Sequence, residues 1–258
     1  MNSGNEFKQG IMTNLCLPER KFADDQPELM DRPEAEPADL AQALANIESC
    51  NRYLDGYRLV RYVVDPWLKP DTSLSILDLC TGGADIPRYL VQLARSRGVR
   101  LKIVALDMHP ATLQIAQQHS AGYPEIELVQ DDALTFSPSR KFDYVLCSLS
   151  LHHFSLEDAR FFLRRTLALA DRGILVGDLR RSDLALAGVY FLTATLMRNR
   201  MSKADGRLSI QRSFSWSELA DLAQSAGWRG FRQKAFSFTR QVIWLEGDAL
   251  EQSRRYAG

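Results

Sequence analysis

Residues 76–87, Ile-Leu-Asp-Leu-Cys-Thr-Gly-Gly-Ala-Asp-Ile-Pro, constrain the fold more than any other stretch of this chain. An apolar strand closes on an acidic residue, a turn of small residues follows, and a helix starts at once. In a parallel α/β sheet such a turn lets backbone N–H groups approach a ligand at the open edge. The spacing excludes a dinucleotide fingerprint of the G-x-G-x-x-G type. After Gly82 and Gly83 come Ala84, Asp85, Ile86 and Pro87, so the helix glycine is missing.

The following residues repeat the strand–helix pattern. We expect strands over 74–80, 101–107, 126–130, 143–148 and 173–178, with helices over 87–96, 110–119 and 156–170. Asp107 ends the second strand about 20 positions beyond the glycine turn, the place from which a carboxylate reaches ribose hydroxyls. Pro110 stands at a first-turn position. Ser155 with Asp158 and Ser215 with Glu218 have capping-box spacing, and Gly227 supplies a helix stop. Phe231–Phe238 and Arg240–Trp244 read as a closing strand pair.

Four motifs in this order resemble those of the class I S-adenosylmethionine-dependent methyltransferases. The Asp78–Asp85 turn is similar to the first motif of that family, and Asp107 to its second. Asp132-Ala133 is similar to the pair that holds adenine there, through the carboxylate and the alanine N–H. Ser148, at the end of the fourth strand, is similar to the strand end beside the methionine part. The resemblance implies an α/β, Rossmann-like, doubly wound sheet of seven strands, mostly parallel with the last antiparallel. It implies S-adenosyl-L-methionine as cofactor, lined by Asp78, Cys80, Gly82, Gly83, Asp107, Met108, Asp132, Ala133 and Ser148. Two departures stand out. Cys80 replaces a usual glycine or alanine, and Ala84 replaces a frequent third glycine, a change that costs where φ is positive. Within the family the quinone C-methyltransferases are the nearest grouping, by the Asp-x-x-x-Gly-Gly-x-Asp, Asp-Ala and strand-end Ser pattern. Where they carry an arginine-asparagine pair after the fourth strand, this chain has His152-His153.

Composition narrows the function classes. With 32 basic and 32 acidic residues in 258, no overall field attracts nucleic acid. The stretch Ser148-Leu-Ser-Leu lacks the Pro-Pro-aromatic signature that holds a flipped base, and no double-glutamate loop of the protein arginine enzymes is present. The 4 cysteines, Cys16, Cys50, Cys80 and Cys147, show no C-x-x-C spacing. Free thiols and the polar first residues point to a cytoplasmic protein.

Three segments flank the core motifs. Residues 1–37, rich in Pro, Asp and Glu, read as a flexible acidic arm. Residues 38–71 carry helical spacing (Leu40, Leu44, Ile47, then Tyr57–Leu68 after Asp55-Gly56); the resemblance implies a helical cap over the cofactor, with a hairpin that only covers one side of the sheet as the alternative. The domain proper spans 72–248, with a lid insert at 179–214. That insert contains the uncharged run Leu184–Met197 between arginines, shorter than the about 20 apolar residues a bilayer needs. The resemblance implies that this segment is a lid, the apolar roof of a substrate pocket, with a buried helix or an interfacial helix as alternatives.

The chemistry implied is an in-line methyl displacement, for which the acceptor must be positioned and, where it carries a proton, deprotonated. His152 and His153 are the candidate bases, since neutral imidazole suits a phenol or enol; their alternative role is to brace the loop. His109 and His119 read as surface residues at helix edges. Asp178, with Arg180 or Arg181, could orient a polar part of the acceptor, though capping and surface solvation are the preferred explanation of them. No His, Cys or carboxylate cluster has metal-ligand spacing, so no metal is expected. The expected partner is a lipophilic small molecule with an aromatic or polyketide-like hydroxyl, without nucleic acid and without a membrane-spanning segment. C-methylation of an enolisable or quinone-like ring is the nearest alternative. A non-catalytic cofactor-binding subunit and a nicotinamide oxidoreductase are more distant ones.

Overall fold

In the computed structural model, residues 19–22, 26–195 and 197–257 are described. Seven strands form one sheet: β1 (Ser73–Leu79), β2 (Arg100–Asp107), β3 (Ile126–Gln130), β4 (Phe142–Ser148), β5 (Ala170–Leu179), β6 (Arg232–Phe236) and β7 (Arg240–Glu246). Their order is β3-β2-β1-β4-β5-β7-β6. β1 to β5 are parallel, and β7 runs antiparallel to both β5 and β6. The expected mostly parallel seven-stranded sheet is therefore present, with its last strand reversed. The strand order turns back between β1 and β4, and the carboxyl ends there open the crevice where such sheets bind ligands.

Both faces of the sheet are buried, which is why the strands read as nearly continuous apolar runs. Ile76 on one face joins a cluster with Leu59, Val60 and Leu90. Leu77 on the other joins Phe162, Leu163 and Trp228. The helices that supply these clusters are α2 (Gly56–Val64), α3 (Asp85–Arg95), α5 (Leu156–Leu169) and α8 (Trp216–Ser225). Ser155 caps α5, accepting from the Asp158 N–H at 3.0 Å. Ser215 and Glu218 close the expected capping box on α8. The helix α4 (Pro110–His119) has the proline at its start.

The flanking segments depart from their expected form in three ways. The part of the N-terminal arm that is described, 19–22 and 26–36, is docked rather than loose. Glu28 is 2% exposed and accepts from Ser209 Oγ at 2.6 Å. The arm's remaining residues lie outside those described, Cys16 among them. The cap is α1 (Pro37–Tyr53) followed by α2, and α1 reaches the glycine turn: Asn51 Nδ2 donates to Asp85 at 2.9 Å and Arg88 meets Glu48 at 2.7 Å. The insert folds as two helices, α6 (Asp183–Thr195) and α7 (Arg200–Arg212). A further helix, α9 (Asp248–Ala257), was not anticipated, because only Leu250 breaks its polar pattern to enter the core. No helix among the described residues is long and apolar enough to cross a membrane.

Candidate active site

A cavity of about 480 Å³ lies at the carboxyl ends of β1, β2 and β4, walled by the arm, α1 and both helices of the insert. Asp78, Cys80, Gly82, Gly83, Asp107, Met108, Asp132, Ala133 and Ser148 all line it, as do His152 and His153. The sequence pattern therefore located both ends of one space.

At one end the chain coils tightly from Leu79 into α3. Cys80 (φ +58°), Gly82 (φ +55°) and Ala84 (φ +56°) all occupy the left-handed region. The two departures from the motif thus fall where φ is positive, the one condition under which they are costly. A residue with a Cβ loses roughly 1–2 kcal/mol in that region. A Cβ added at Gly83 would touch only Leu44, at 3.6 Å, so the turn faces open space apart from α1. Asp107 holds the coil in place: its carboxylate accepts from the Gly82 N–H at 2.8 Å and from the His109 N–H at 3.0 Å. Asp132 Oδ1 accepts from the Leu134 N–H at 2.8 Å.

Two observations test whether this end fits S-adenosylmethionine. The Ala133 residue is buried, yet its N–H has no hydrogen-bond partner among the described residues, beside the second oxygen of Asp132. A buried backbone donor next to a carboxylate oxygen suits the edge of an adenine. The turn also gathers acid. Burial, with Asp85 and Asp107 nearby, pushes the Asp78 carboxyl up to about 7, despite a 2.6 Å hydrogen bond from Thr81 Oγ1. Burial raises Asp85 as well. The guanidinium of Arg88 is committed to the Gly83 carbonyl and Glu48. A ligand bearing a sulfonium and an ammonium group suits such a place. The residues fit the cofactor.

At the other end, a short 3₁₀ turn, Leu151–His153, follows β4. His152 is 3% exposed, and its Nδ1 lies 2.7 Å from Asp178 Oδ1 at the end of β5. Its Nε2 is 3.8 Å from Glu28. The His153 ring packs 4.4 Å from that of His152, with Nδ1 at 3.0 Å from Asp31 and Nε2 at 3.8 Å from Glu28. Burial disfavours charge on His153, but Glu28 and Asp31 outweigh it and push the imidazole up to about 10. The two carboxylates thus favour the charged form of the His153 ring, and of the two expected bases His152 is the one paired with Asp178.

Other expectations are also revised. Asp178 is buried against His152 rather than solvated. Arg181 is buried and paired with Glu218, and it does not line the cavity. His109 is not a plain surface residue, since it lines the cavity 3.8 Å from Asp31. Glu28, Asp31 and Asp205 were missed altogether. Asp205 on α7 accepts from the Leu29 and Met30 N–H groups at 2.7 and 3.1 Å, fastening the arm over the cavity. Nothing near Glu28 in the chain signalled a site. Asp178, ending a strand at the active edge, carried a signal that was there to be read.

Comparison with known proteins agrees with this geometry. A family model described as a methyltransferase domain matches residues 76–173. The 2-phytyl-1,4-naphtoquinone methyltransferase of Thermosynechococcus vestitus is 43% identical over 74 residues, 28% of this chain and 32% of that protein. The match thus spans about a third of that relative's length. The demethylmenaquinone methyltransferase of Bacillus licheniformis is 26% identical over 176 residues, 62% of this chain and 73% of that protein. Among solved structures, the plantazolicin methyltransferase BpumL in complex with SAH superposes with a TM-score of 0.64 at 13% identity, covering 85% of this chain and 92% of that one. That likeness shows the fold. Sheet order, motif placement and the methyltransferase domain matched over residues 76–173 make the chain similar to the class I S-adenosylmethionine-dependent methyltransferases and support that reading of it.

Proposed function

We propose that the protein transfers a methyl group to a hydroxyl of a lipophilic small molecule, aromatic or polyketide-like. The observation that carries this reading is one cavity joining the glycine turn to a buried His152–Asp178 pair, with apolar walls from Leu54, Met30, Val189 and Leu192 between polar ends. S-adenosylmethionine, when bound, supplies an electrophilic methyl on its sulfonium. Asp107 would hold its ribose, Asp132 and Ala133 its adenine, and Asp78 with the coil of Cys80–Gly83 its methionine part.

The chain's own residues then do three things. The arm and the insert exclude water, which strengthens every polar interaction inside. Asp178 orients the His152 ring, leaving Nε2 toward the cavity to accept the hydroxyl proton of an acceptor. His153, cationic between Glu28 and Asp31, balances the acid charge at that end. Most of the rate comes from holding the acceptor oxygen in line with the methyl.

The two relatives named for quinone substrates favour a second reading, methylation at carbon of an enolisable or quinol-like ring. One experiment tests both. The protein is incubated with methyl-labelled S-adenosylmethionine and a panel of phenols, polyketide-like hydroxy compounds and quinols, and any product's methyl position is read by NMR. A methoxy product is expected. A ring methyl would select the second reading, and no transfer to any acceptor would overturn both.

A further inference from the structure

Three side chains at the histidine end present donor atoms to a common point: one ring nitrogen each of His152 and His153 and a carboxylate oxygen of Glu28 lie within 4.8 Å of one another, and each Nε2 is 3.8 Å from a Glu28 oxygen. We infer that this cluster binds a divalent first-row transition metal ion, with zinc(II) the best match to two imidazoles and one carboxylate. Ligands about 2.0–2.1 Å from a tetrahedral zinc stand about 3.3 Å apart. The 3.8 Å separations from Glu28 to each imidazole therefore close by roughly half an ångström.

The surroundings make the cluster more than a chance meeting. A metal-bound histidine almost always donates its second ring N–H to a carboxylate or carbonyl, which fixes the tautomer and aims the ligating nitrogen. Both histidines do this. His152 Nδ1 is 2.7 Å from Asp178 and His153 Nδ1 is 3.0 Å from Asp31, so each Nε2 is left facing Glu28. Glu28 is itself oriented, accepting from Ser209 Oγ at 2.6 Å. His152 and Glu28 are 3% and 2% exposed, and Nε2 of His152 has no hydrogen-bond partner among the described residues. Four carboxylates, of Glu28, Asp31, Asp178 and Asp205, crowd this end of the cavity. A dication answers that charge.

The three ligands leave open positions, and the cluster lines the cavity, so water or an oxygen of the acceptor would complete the coordination. Only that last clause rests on the proposed function. With a metal bound, Nε2 of each histidine is a ligand and the metal takes the place of the His153 Nε2 proton, so the proton-accepting role of His152 and the cationic role of His153 described above both belong to the metal-free protein.

The test is a titration of the metal-free, full-length protein with cobalt(II), followed by visible absorption, with zinc(II) then added in competition. One cobalt per chain, displaced by zinc, is expected. Glu28→Gln, His152→Ala and His153→Ala should each abolish stoichiometric uptake, and Asp31→Asn should weaken it about 10–100-fold. No stoichiometric uptake by the native protein overturns the proposal, as does uptake unchanged in all three ligand variants. Circular dichroism and calorimetric titration with S-adenosylhomocysteine on the same samples separate the causes. Lost metal with retained S-adenosylhomocysteine binding is the expected result for folded ligand variants. If S-adenosylhomocysteine fails to bind the native protein while cobalt is taken up, the cofactor reading fails and the metal site stands.

Discussion

The glycine-turn end of the cavity is made by nearly consecutive residues, 78–85 braced by Asp107. The histidine end gathers Glu28 and Asp31 from the arm, His152 and His153 from the end of β4, and Asp178 from the end of β5. The first end works mainly through backbone N–H groups and a coil of left-handed residues. The second works through side chains alone. A site built on the main chain is specified by local spacing, whereas a side-chain site depends on which distant segments the fold brings together. This difference separates the general part of the function, cofactor recognition, from the individual part, the chemistry offered to the acceptor.

The largest expected effect would sharpen the contrast by isolating charge at the turn. The Asp78 carboxyl titrates near 3.8 in an open chain and near 7 in the fold. Between those values the unfolded chain has released its proton and the folded one has not. Stability therefore falls as pH rises from about 4, and the loss is complete above about 7. At roughly 1.4 kcal/mol per pH unit the decline comes to about 4 kcal/mol. Urea unfolding of the native protein and of Asp78→Asn across this range should show a decline about 4 kcal/mol larger in the native protein, the part common to both coming from other raised carboxyls such as Asp85 and Asp205. Parallel curves would mean that the Asp78 side chain is not the source.

Next in size is Asp107→Ala, which removes the brace on Gly82 and His109 and the expected ribose partner together. Calorimetric titration should show S-adenosylhomocysteine binding at least about 100-fold weaker, about 3 kcal/mol. Unaltered binding would place the cofactor elsewhere. Asp178→Asn probes the opposite end: kcat in metal-free buffer should drop about 100-fold, with S-adenosylhomocysteine affinity unchanged. Should the affinity fall in proportion, the two ends are not separable and the comparison breaks.

The smallest effect concerns the departures from the family motif. Ala84→Gly relieves a left-handed residue and should stabilise the protein by about 1 kcal/mol, a rise of roughly 2–4 °C in Tm. Cys80→Gly should behave similarly. A loss of stability in both would show that the buried Ala84 and partly buried Cys80 side chains contribute more by packing than their backbone costs.

How much could be read in advance follows the same division. The sheet and its order of elements were legible, and the nine residues expected to line a cofactor all line one cavity, because each sits at or just past a strand end whose apolar pattern and terminal residue mark it locally. His152 and His153 were legible as a pair at the active edge, but not their difference. One faces a carboxylate on β5, and the other sits between two carboxylates of the arm. The arm itself was misread as loose, since its composition is that of a solvated segment. Its docking comes from contacts with α7 that no local pattern encodes, such as Asp205 with the Leu29 and Met30 N–H groups.

The sequence by itself determined the α/β sheet and the cofactor edge, because alternating burial and backbone turns are properties of neighbouring residues. Only the tertiary structure decided that Cys80 and Ala84 pay for positive φ, that Asp178 aims His152, and that Glu28 joins two imidazoles. The last two are distances between segments far apart in the chain, and burial together with the neighbouring charges sets the charge that each group can carry.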